Sequence, residues 1–415
     1  MASKWHSFRL GEVCSKIGSG ATPRGGSSVY LDEGEIALIR SQNVYNDAFQ
    51  RGGLVFLTEA HADELANVEV KENDVLLNIT GDSVARSCQV SVDVLPARVN
   101  QHVAIIRPNP SILWPRFLRY HMVSPATQAM MLSLAGAGAT RNALTKGMIE
   151  SFELSAPVDV AAQRNIAHIL GTLDDKIELN HRSNATLEAM ARALFKDWCC
   201  NQPTAFPRET IAQMSRDGVL TIGDGYRAKN DELGSVGLPF IRAGELKNGF
   251  DTDGADILSE NSVRLAGDKV SRVGDVAFTS KGTIGRFARV TKQTPAFVYS
   301  PQVCFWRATD ATRLRPEMLY LWMVSDDCRA QIDAVAGQTD MALYVSLRDQ
   351  RAMTMPIFGP AQHVVADLIK PLLARQATNS AETRTLATLR DTLLPKLLSG
   401  ELRVRDAERQ VETVL

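Results

Sequence analysis

The pattern of hydrophobic and polar positions changes along the chain and divides it into alternating parts. Residues 5–157 contain short stretches rich in β-branched residues, such as ALIRSQNV and DVLLNIT, each bounded by Gly, Asn, Asp or Pro. This pattern is typical of β-strands separated by turns. Helical stretches follow the strands, so the segment predicts an α+β domain. Residues 219–356 repeat the same order.

A second pattern follows each of these parts, with heptad positions at alternating steps of four and three. It runs from Ile166 to Trp198 and again from Val365 to Leu397. Such a heptad pattern predicts two long helices that pair as a coiled coil. The predicted pairing residues are Ile166, Leu170, Leu173, Ile177, Leu187 and Leu194 in the first helix, and Ile369, Leu372, Leu386, Leu393 and Leu397 in the second.

Both heptad patterns are apolar at their ends and polar in the middle. If the helices pair antiparallel, Asn180 and Asn184 lie near Asn379 and Thr383. A buried polar layer of this kind fixes the register of the pair. The alternative is that these central residues face solvent or a partner subunit. Pro371 lies inside the second helix and is expected to kink or interrupt it.

The two halves of the chain also resemble each other in sequence. NDVLLNITGDSVARSCQV (73–90) returns as GDVAFTSKGTIGRFARV (274–290), and QHVAIIRP (101–108) returns as QVCFWRA (302–308). Solenoid repeats are only about 20–50 residues long. The copies that begin at residues 73 and 274 are about 200 residues apart, so the repeated unit is a whole domain with its connector. The chain is therefore predicted to contain two similar mixed α/β domains, alternating with the two antiparallel helices in a pseudo-two-fold internal repeat.

These patterns also predict the boundaries of the domains. They are a first α+β domain at 1–157, a central long helix at 158–200, a linker at 201–218, a second α+β domain at 219–356, a distal long helix at 357–400 and a C-terminal tail at 401–415. The last residues, 408–415, are expected to fray.

Composition and charge add information mainly about the partners that the chain can bind. Hydrophobic residues make up 45% of the chain and charged residues 22%, as in ordinary globular proteins. No apolar signal segment begins the chain, so a cytoplasmic location is expected. Residues 1–157 carry 14 Lys and Arg against 15 Asp and Glu, and residues 208–356 carry 19 against 19. Stand-alone DNA-binding proteins are usually basic, so a DNA reader of this composition must cluster its cations or rely on a partner.

Motifs for catalysis or metal binding are weak throughout the chain. The six cysteines form no CxxC pair and the histidines no HExxH motif, so no metal site or cofactor is expected on this chain. No GxxxxGK(S/T) loop for ATP is present. Glu69 and Lys71 could imitate the end of a nuclease motif, although surface positions are the simpler interpretation. These observations favour a binding protein over an enzyme, with no catalytic residues.

Several segments together resemble the specificity (S) subunits of type I restriction–modification systems. Their order, spacing and duplication carry the resemblance, which covers nearly the whole chain. LGEVCSKIGSGATPRGG (10–26) resembles the family's opening, and the repeated segments at 73–90 and 274–290 are similar to the core of its target recognition domains. AQRNIAHILGTLDDKIELNHRSNATLEAMARALFKDW (162–198) and TLATLRDTLLPKLLSGEL (385–402) resemble its two conserved long helices.

The resemblance implies a non-catalytic subunit that binds double-stranded DNA. Each target recognition domain would read one half of a split, asymmetric sequence, and the helices would set the gap between the halves. The first heptad pattern spans roughly 50 Å at 1.5 Å per residue. The helices would also dock two methyltransferase subunits, which carry S-adenosylmethionine, and a translocating restriction subunit is a further candidate partner. The second helix lacks the Leu173-Asp174 pair of the first, so equal docking of both copies is not implied.

Candidate DNA contacts come from loops with Arg, Asn or Gln, because these side chains read guanine and adenine edges. In the first domain they are Arg40, Ser41, Gln42 and Asn43, then Asn78, Thr80 and Gly81, then Asn100 and Gln101, and then Arg141 and Asn142. In the second domain they are Arg242, then Thr279, Ser280, Lys281 and Gly282, and then Ser300 and Gln302. Lys281 suits a phosphate better than a base. The alternative is turn chemistry, since such residues populate turns for backbone reasons alone.

Two other classes of function stay open at this point. One is an autonomous nuclease that uses Glu69 and Lys71, which cleavage by the purified chain alone would support. The other is a two-headed adaptor that binds protein or glycan. The near-neutral charge of both domains favours the adaptor, and a tight protein complex indifferent to DNA would support it.

Overall fold

The computed structural model describes residues 4–46, 48–90, 92–136, 142–247, 249–336 and 344–414. The chain divides into unit 1, which consists of Met1–Lys176 and Thr385–Leu415, and unit 2, which consists of Ile177–Arg384. In the described parts, each unit contains two four-stranded sheets, one two-stranded sheet and several helices. The predicted α+β class is confirmed.

Unit 1 contains ten strands in its described residues. They are β1 (Trp5–Arg9), β2 (Cys14–Ser19), β3 (Ile36–Ile39), β4 (Val55–Leu57), β5 (Glu69–Val70), β6 (Val75–Asn78), β7 (Ser87–Gln89), β8 (Ala97–Val99), β9 (Val103–Pro108) and β10 (Glu153–Pro157). The strand orders are β2-β9-β6-β7 and β4-β3-β8-β5, and β1 pairs with β10. Only β3 and β8 pair in parallel among these strands.

The helices of the first half of the chain begin with recognisable signals. They are α1 (Leu10–Val13), α2 (Glu59–Glu64), α3 (Pro115–Val123), α4 (Pro125–Gly136), α5 (Lys146–Glu150) and α6 (Val160–Cys200). The hydroxyls of Thr58 and Thr145 accept backbone N–H groups at the starts of α2 and α5, which satisfies donors that the helix leaves free. Pro115 occupies the first turn of α3, where its missing N–H costs nothing.

Unit 2 repeats the strand order of the first sheet and the centre of the second sheet, whose edge strands differ. Its strands are β11 (Arg208–Thr210), β12 (Leu220–Gly223), β13 (Leu233–Gly234), β14 (Gly237–Ile241), β15 (Ile257–Ser259), β16 (Val276–Thr279), β17 (Phe287–Arg289), β18 (Val298–Tyr299), β19 (Val303–Ala308) and β20 (Thr354–Pro356). The orders are β12-β19-β16-β17 and β13-β15-β14-β18, and β11 pairs with β20. Again one pair, β14 with β18, is parallel. The duplication seen in the sequence is therefore a duplication of topology.

The remaining helices lie in unit 2, except for the end of the second long helix and the last helix of the chain, which lie in unit 1. They are α7 (Ile211–Arg216), α8 (Glu260–Ala266), α9 (Pro316–Met323), α10 (Asp326–Ala336), α11 (Leu347–Ala352), α12 (Gln362–Ser399) and α13 (Val404–Glu412). Unit 2 contains α7 to α11 and the first part of α12, whereas the end of α12 and α13 belong to unit 1.

The central sheet of unit 2 separates two apolar clusters because its strands alternate their side chains. Val303 and Phe305 of β19 pack into one cluster with Ile241 of the second sheet. Cys304 and Trp306 pack into the other cluster, with helical residues of α6, α9 and α12. A period of two places successive side chains on opposite faces. Unit 2 is therefore built of a sheet, a second sheet and a layer of helices.

The two long helices pair antiparallel within each unit. In unit 1, Arg390 of α12 donates to Asp174 of α6 at 2.9 Å. In unit 2, Asn184 donates to Ser380 at 3.1 Å, and Gln376 donates to Glu188 at 3.1 Å. As residue numbers rise along α6, the residue numbers of the partners in α12 fall. The predicted antiparallel pair is therefore confirmed.

The polar middle of this pair is buried in unit 2. Asn180 is 3% exposed and donates to Glu382 at 3.0 Å, while Asn379 is 1% exposed and donates to Asn184 at 3.0 Å. These side chains face the opposite helix and not solvent, which decides between the two interpretations. Hydrogen bonds across a buried polar layer fix the register of a helix pair.

The apolar positions depart from a strict heptad in two places. The buried pairing residues are Ile166, Leu170, Leu173, Ile369, Leu386, Leu393 and Leu397. Ile177 and Leu187 are half-buried, as is Leu372, whose neighbour Leu373 is buried in its place. Leu194 is 36% exposed and Phe195 is buried beside it, so the prediction for Leu194 is wrong. An α-helix has 3.6 residues per turn, so the buried stripe drifts from a 3.5-residue repeat.

Three local expectations are corrected by the structure. α12 continues through Pro371, which is exposed, so the proline does not interrupt the helix. The predicted linker is structured from Arg208 onward, since β11 pairs with β20 and Ile211 of α7 is buried. The C-terminal tail forms α13, and its buried Val411 replaces the expected fraying with packing.

Candidate nucleic-acid interface

Three predicted loops of unit 1 meet in one open surface depression. Residues 40–45 follow β3, residues 79–86 join β6 to β7, and residues 100–102 join β8 to β9. The residues that line the depression are Ser41, Gln42, Tyr45, Thr80, Gly81, Asp82, Ser83, Arg86 and His102. Donors and acceptors are thereby gathered on one surface, as reading the edges of bases requires.

One buried amide connects two of these loops, and a second holds the 100–102 loop internally. Asn78 is 0% exposed, and its Nδ2 donates to the carbonyl of Ser41 at 2.8 Å. Asn100 is 6% exposed, and its Oδ1 accepts from the backbone N–H of His102 at 3.1 Å. The prediction of DNA contacts is corrected for both, because their side chains are buried against backbone groups and shape the loops instead.

The loop after β3 is held by its own side chains. Asn43 is 0% exposed and donates to the carbonyl of Gln50 at 2.8 Å, so it too is a turn residue and not a surface reader. Arg40 Nη2 and Gln42 Nε2 both donate to the carbonyl of Gly53, at 2.6 and 3.1 Å. Gln42 is exposed, and Arg40 is half-buried. Their DNA contacts stay predictions.

The other two loops of unit 1 present hydroxyl, amide and imidazole groups. The hydroxyl of Thr80 lies 2.6 Å from Nδ1 of His102, whose Nε2 lies 3.1 Å from Nε2 of the exposed Gln101. Gly81 has a φ of 76°, which favours glycine, and its N–H donates to the carbonyl of the exposed Asn142. Arg141 lies outside the described residues.

The equivalent loops of unit 2 divide in the same way into buried and exposed residues. Thr279, Ser280 and Ser300 are at most 2% exposed, so the structure corrects their predicted DNA contacts. Thr279 donates its hydroxyl to the carbonyl of Thr283 at 2.6 Å and thereby holds the β16–β17 loop. Lys281, Gly282 and Gln302 are exposed and stay predicted contacts.

Arg242 differs from its counterpart Arg40. A carboxylate oxygen of Asp256 lies 2.6 Å from Nη1 of Arg242, where the repeat in unit 1 offers the backbone carbonyl of Gly53 to Arg40. Arg242 therefore enters any DNA contact already paired with an acid. A guanine or a phosphate must compete with this carboxylate.

A repeated close approach sets the position of the 100–102 loop and its counterpart. A Cβ at Gly20 would lie 2.0 Å from the carbonyl oxygen of Val99, and a Cβ at Gly225 would lie 2.1 Å from that of Ser300. Only glycine permits such contact between two backbones. The repeated Ile-Gly-x-Gly sequence thus has a structural reason in both units.

A repeated ion pair at the other end of these strands was not identified from the sequence. In unit 1, Arg107 donates two hydrogen bonds to Asp74, at 2.6 and 2.7 Å. In unit 2, Arg307 donates two to Asp275, both at 2.7 Å. Arg107 lies on β9 and Arg307 lies on β19, and each aspartate lies in the turn before the adjacent strand, β6 or β16. The two parallel hydrogen bonds of each pair fix its orientation as well as its distance. The repeated Asn/Gly-Asp-Val and Arg signals could have revealed them.

Comparison with known proteins identifies the family. Residues 2–189 match the family model "Type I restriction modification DNA specificity domain". The type I restriction enzyme MjaIX specificity subunit of Methanocaldococcus jannaschii is 24% identical over 76% of this chain and 76% of its own length. The HindI specificity subunit of Haemophilus influenzae is 22% identical over 96% of this chain and 100% of its own length. The family model and both relatives agree on the family that the chain resembles, the type I restriction–modification specificity subunits.

The fold agrees with this family. The crystal structure of the type I restriction–modification S subunit from M. genitalium covers 95% of this chain and 96% of its own, with a TM-score of 0.60 and 14% sequence identity. At this identity the likeness concerns the fold alone. The order of sheets and long helices described above is thus that of a known specificity subunit.

The loops also present groups that were not selected from the sequence. The guanidinium of Arg86 lies 4.5 Å from the ring centre of Tyr45 in the unit 1 depression. In unit 2, Tyr344 is 43% exposed and forms a β-bridge with Lys281. Aromatic and guanidinium groups at such positions suit stacking on nucleotides. The repeat offered a signal, because Arg86 and Arg286 end equivalent loops.

Each long helix is joined to the sheet domain that precedes it by a buried glutamine. Gln163 accepts from the backbone N–H of Trp114 at 2.7 Å and donates to the carbonyl of Pro157 at 2.8 Å. Gln362 accepts from the N–H of Arg315 at 2.9 Å and donates to the carbonyl of Gly359 at 2.9 Å. The two glutamines therefore fix the start of each helix.

The residues considered for other chemistry have structural partners. Glu69 lies 3.7 Å from Arg98, and its backbone carbonyl accepts from Arg107. Among the described residues, no three His, Cys, Asp or Glu side chains are grouped closely enough to hold a metal ion. No helix within the described ranges has the length and apolar character needed to cross a membrane.

Proposed function

We propose that this chain directs a type I restriction–modification complex to a bipartite, asymmetric target in double-stranded DNA, with one half read by each unit. The observation that carries the proposal is the duplicated topology with different exposed loop residues. Two copies of one fold that present different side chains are suited to two different half-sites.

The exposed residues of the loops support an unequal pair of half-sites. Unit 1 offers Gln42, Gln101 and Asn142, which suit adenine, while unit 2 offers Lys281 and Gln302. Lys281 suits a phosphate contact that positions the domain. Since the two sets differ, the two halves of the target should differ as well.

The chemistry itself is assigned to partner subunits. Two methyltransferase subunits would dock on the long helices and carry S-adenosylmethionine, and a restriction subunit is a further candidate partner. The near-neutral charge of the chain supports this division, because DNA affinity then needs cations from partners. The paired helices α6 and α12 would set the gap between the half-sites. The chain would act without catalytic residues of its own.

Methylome sequencing of a host that carries this chain with its cognate methyltransferase tests the proposal. One bipartite methylated motif should appear, and it should vanish when this chain is deleted. Gln42→Ala should relax one half of the motif and Arg242→Ala the other half. Loss of a good base contact costs about 1–3 kcal/mol. Sites with other bases at the position of the lost contact should therefore be methylated as well. Arg264→Ala, which changes an exposed arginine of α8 outside these loops, is the matched control. A motif of one continuous block, or equal relaxation of both halves by either variant, would contradict the proposal.

A further inference from the structure

Unit 2 contains a cavity that the DNA-reading loops do not explain. Its volume is about 340 Å³, and it lies between the sheet domain of unit 2 and the middle of α12. The sheet domain contributes Lys247, Arg289 and Tyr320, and α12 contributes Gln376, Ser380 and Arg384. This size matches the lower range of pockets that bind small ligands.

The lining of the cavity is cationic. Lys247, Arg289 and Arg384 are its charged residues, and no Asp or Glu is among the described residues that line it. Tyr320, Ser380, Thr291 and Thr294 add hydroxyl groups. The whole chain has a formal net charge of −1, so three cations around one cavity are a local concentration and not a general feature.

The environment of Arg289 is the most informative feature of the cavity. Its Nη2 donates to the carbonyl of Leu373 at 2.8 Å, and its guanidinium lies 5.7 Å from the ring centre of Tyr320. Within the described part of the chain, no carboxylate lies within the 4.0 Å of an ion pair with Arg289. Burial lowers the pKa of this arginine from its ordinary value. A guanidinium removed from water without a counter-charge is costly, and a bound anion would offset that cost.

The carboxylates that influence Arg289 already have other partners. Glu188 accepts from the hydroxyl of Tyr320 at 2.9 Å and from Gln376 at 3.1 Å, and it pairs with Arg192. Glu317 pairs with Arg315 at 3.4 Å. The carboxylates of the wall behind the cavity are thus bonded to other groups, and none of them forms an ion pair with Arg289 in the described part of the chain.

The first copy of the sequence repeat does not conserve the two arginines of this cavity. In the repeat, Arg289 corresponds to Gln89, and Arg384 corresponds to Ala185. Tyr320 corresponds to Arg119, because each is the fifth residue of its helix. Arg119 donates to Asp174 at 2.6 Å, so its charge is matched inside unit 1. The cationic cavity is therefore a property of unit 2 alone and not of the shared fold.

We propose that this cavity binds a phosphate group, supplied either by the DNA backbone or by a free nucleotide. Arginine presents paired N–H donors that match phosphate oxygens, and lysine adds a mobile charge. Two cations at one oxygen-rich anion explain why Arg289 lacks a carboxylate partner. The DNA source rests on the proposed function, whereas the phosphate chemistry does not.

The test compares the full chain, with its cognate methyltransferase, in wild-type form and as Arg289→Gln, Lys247→Ala and the double variant. Binding of inorganic pyrophosphate and of ADP is measured by titration calorimetry, and binding of target DNA is measured over a series of salt concentrations. Arg289→Lys tests rescue by retained charge. Lys370→Ala, an exposed lysine on α12 outside the cavity, is the matched control. Circular dichroism melting establishes that each variant is folded.

Two results would support the proposal and identify the source. If a free nucleotide is the ligand, pyrophosphate or ADP should saturate the wild type and bind about tenfold more weakly to Arg289→Gln, since a charge-assisted hydrogen bond is lost. If the DNA backbone is the source, free anions should not bind, and the salt dependence of DNA binding should fall by about 0.9 per lost contact. In either case Arg289→Lys should retain part of the binding, and Lys370→Ala should match the wild type.

A third result would overturn the proposal. If folded Arg289→Gln and the double variant keep both wild-type DNA salt dependence and wild-type response to free anions, the cavity holds no phosphate, although the chain can still be a DNA reader. If the wild type binds no specific DNA but saturates with pyrophosphate, the proposed function fails and the cavity assignment stands. The two failures are thus distinguishable.

Discussion

The two units share a strand order but differ inside, where the sheet domain meets the long helices. In unit 1, Asp174 accepts from Arg119 at 2.6 Å, from Tyr120 at 2.7 Å and from Arg390 at 2.9 Å. In unit 2, the position of Asp174, eleven residues after the buried glutamine, is taken by Leu373. Leu373 packs in an apolar cluster with Ala191, which occupies the place of Arg390.

This difference shows that one fold accepts two self-consistent interiors. A buried ion cluster and a packed apolar cluster can be similar in stability, because desolvation of charges offsets their attraction. An interior that mixes the two sets of residues is less stable than either, because it leaves a buried charge without a counter-charge. The acidic residue and its arginines in unit 1 must therefore change together. The charged set joins α3, α6 and α12 by directional bonds to Asp174. In unit 2 the bonds among α6, α9 and α12 converge instead on Glu188, which accepts from Tyr320 and Gln376.

The largest expected effect comes from breaking the cluster in unit 1. Asp174→Ala should destabilise unit 1 by about 3–5 kcal/mol, because the buried Arg119 loses the carboxylate that it binds and Arg390 keeps only the exposed Asp391. Urea unfolding followed by pulsed hydrogen exchange, measured peptide by peptide, should show the loss in unit 1 before unit 2. The triple variant Arg119→Tyr, Asp174→Leu and Arg390→Ala, which imports the residues of unit 2, should recover most of the stability. If the triple variant is less stable than Asp174→Ala, the two interiors are not alternative solutions.

A smaller effect should be equal in the two units. Gly20→Ala and Gly225→Ala each place a Cβ about as close as the other to a backbone oxygen, at 2.0 and 2.1 Å. Each should cost about 1–3 kcal/mol, because the two backbones must separate. Gly18→Ala and Gly244→Ala are the controls, since a Cβ at either meets nothing within 4 Å. Thermal melting checks all four. A large cost in one unit and none in the other would show that the close approach is not shared.

The smallest expected difference appears on acidification. Burial alone would raise the pKa of Asp174, but Arg119, Arg390 and Tyr120 outweigh it and hold that pKa below its ordinary value. A carboxyl with a lowered pKa stabilises the fold above its unfolded pKa and loses this contribution as the pH falls through its folded pKa. Unit 1 should therefore lose stability below about pH 4, and Leu373 in unit 2 cannot contribute such a loss.

Asp174→Asn isolates this contribution, because an amide cannot titrate. Its unit 1 should unfold in urea with a weaker dependence on pH between about pH 5 and pH 3 than the wild type. Exchange in peptides of unit 2 should be the same in both proteins and serves as the internal reference. An identical acid dependence of unit 1 in the two proteins would place the titration elsewhere.

The sequence by itself determined the duplication, the α+β class and the antiparallel helices with Asn180 and Asn379 at their centre. These features are written in local periodicity and in repeated segments, because strand and helix spacing follow from backbone geometry. The sequence also selected three loops that the structure brings together in unit 1. It placed Leu194 in the helix seam wrongly, because a strict heptad ignores the drift of a 3.6-residue helix.

Only the tertiary structure decided which side chains in those loops are exposed. Asn78 and Asn43 have the same chemistry as Asn142, yet the first two are buried against carbonyls and the third is exposed. Pairings such as Arg107 with Asp74 and Arg390 with Asp174 join residues far apart in the chain. Contacts of this kind depend on how strands and helices pack, and amino-acid pattern carries no local signal for them. Burial and charge pairing are properties of the folded chain, and they distinguish the exposed loop residues from the residues that hold the loops.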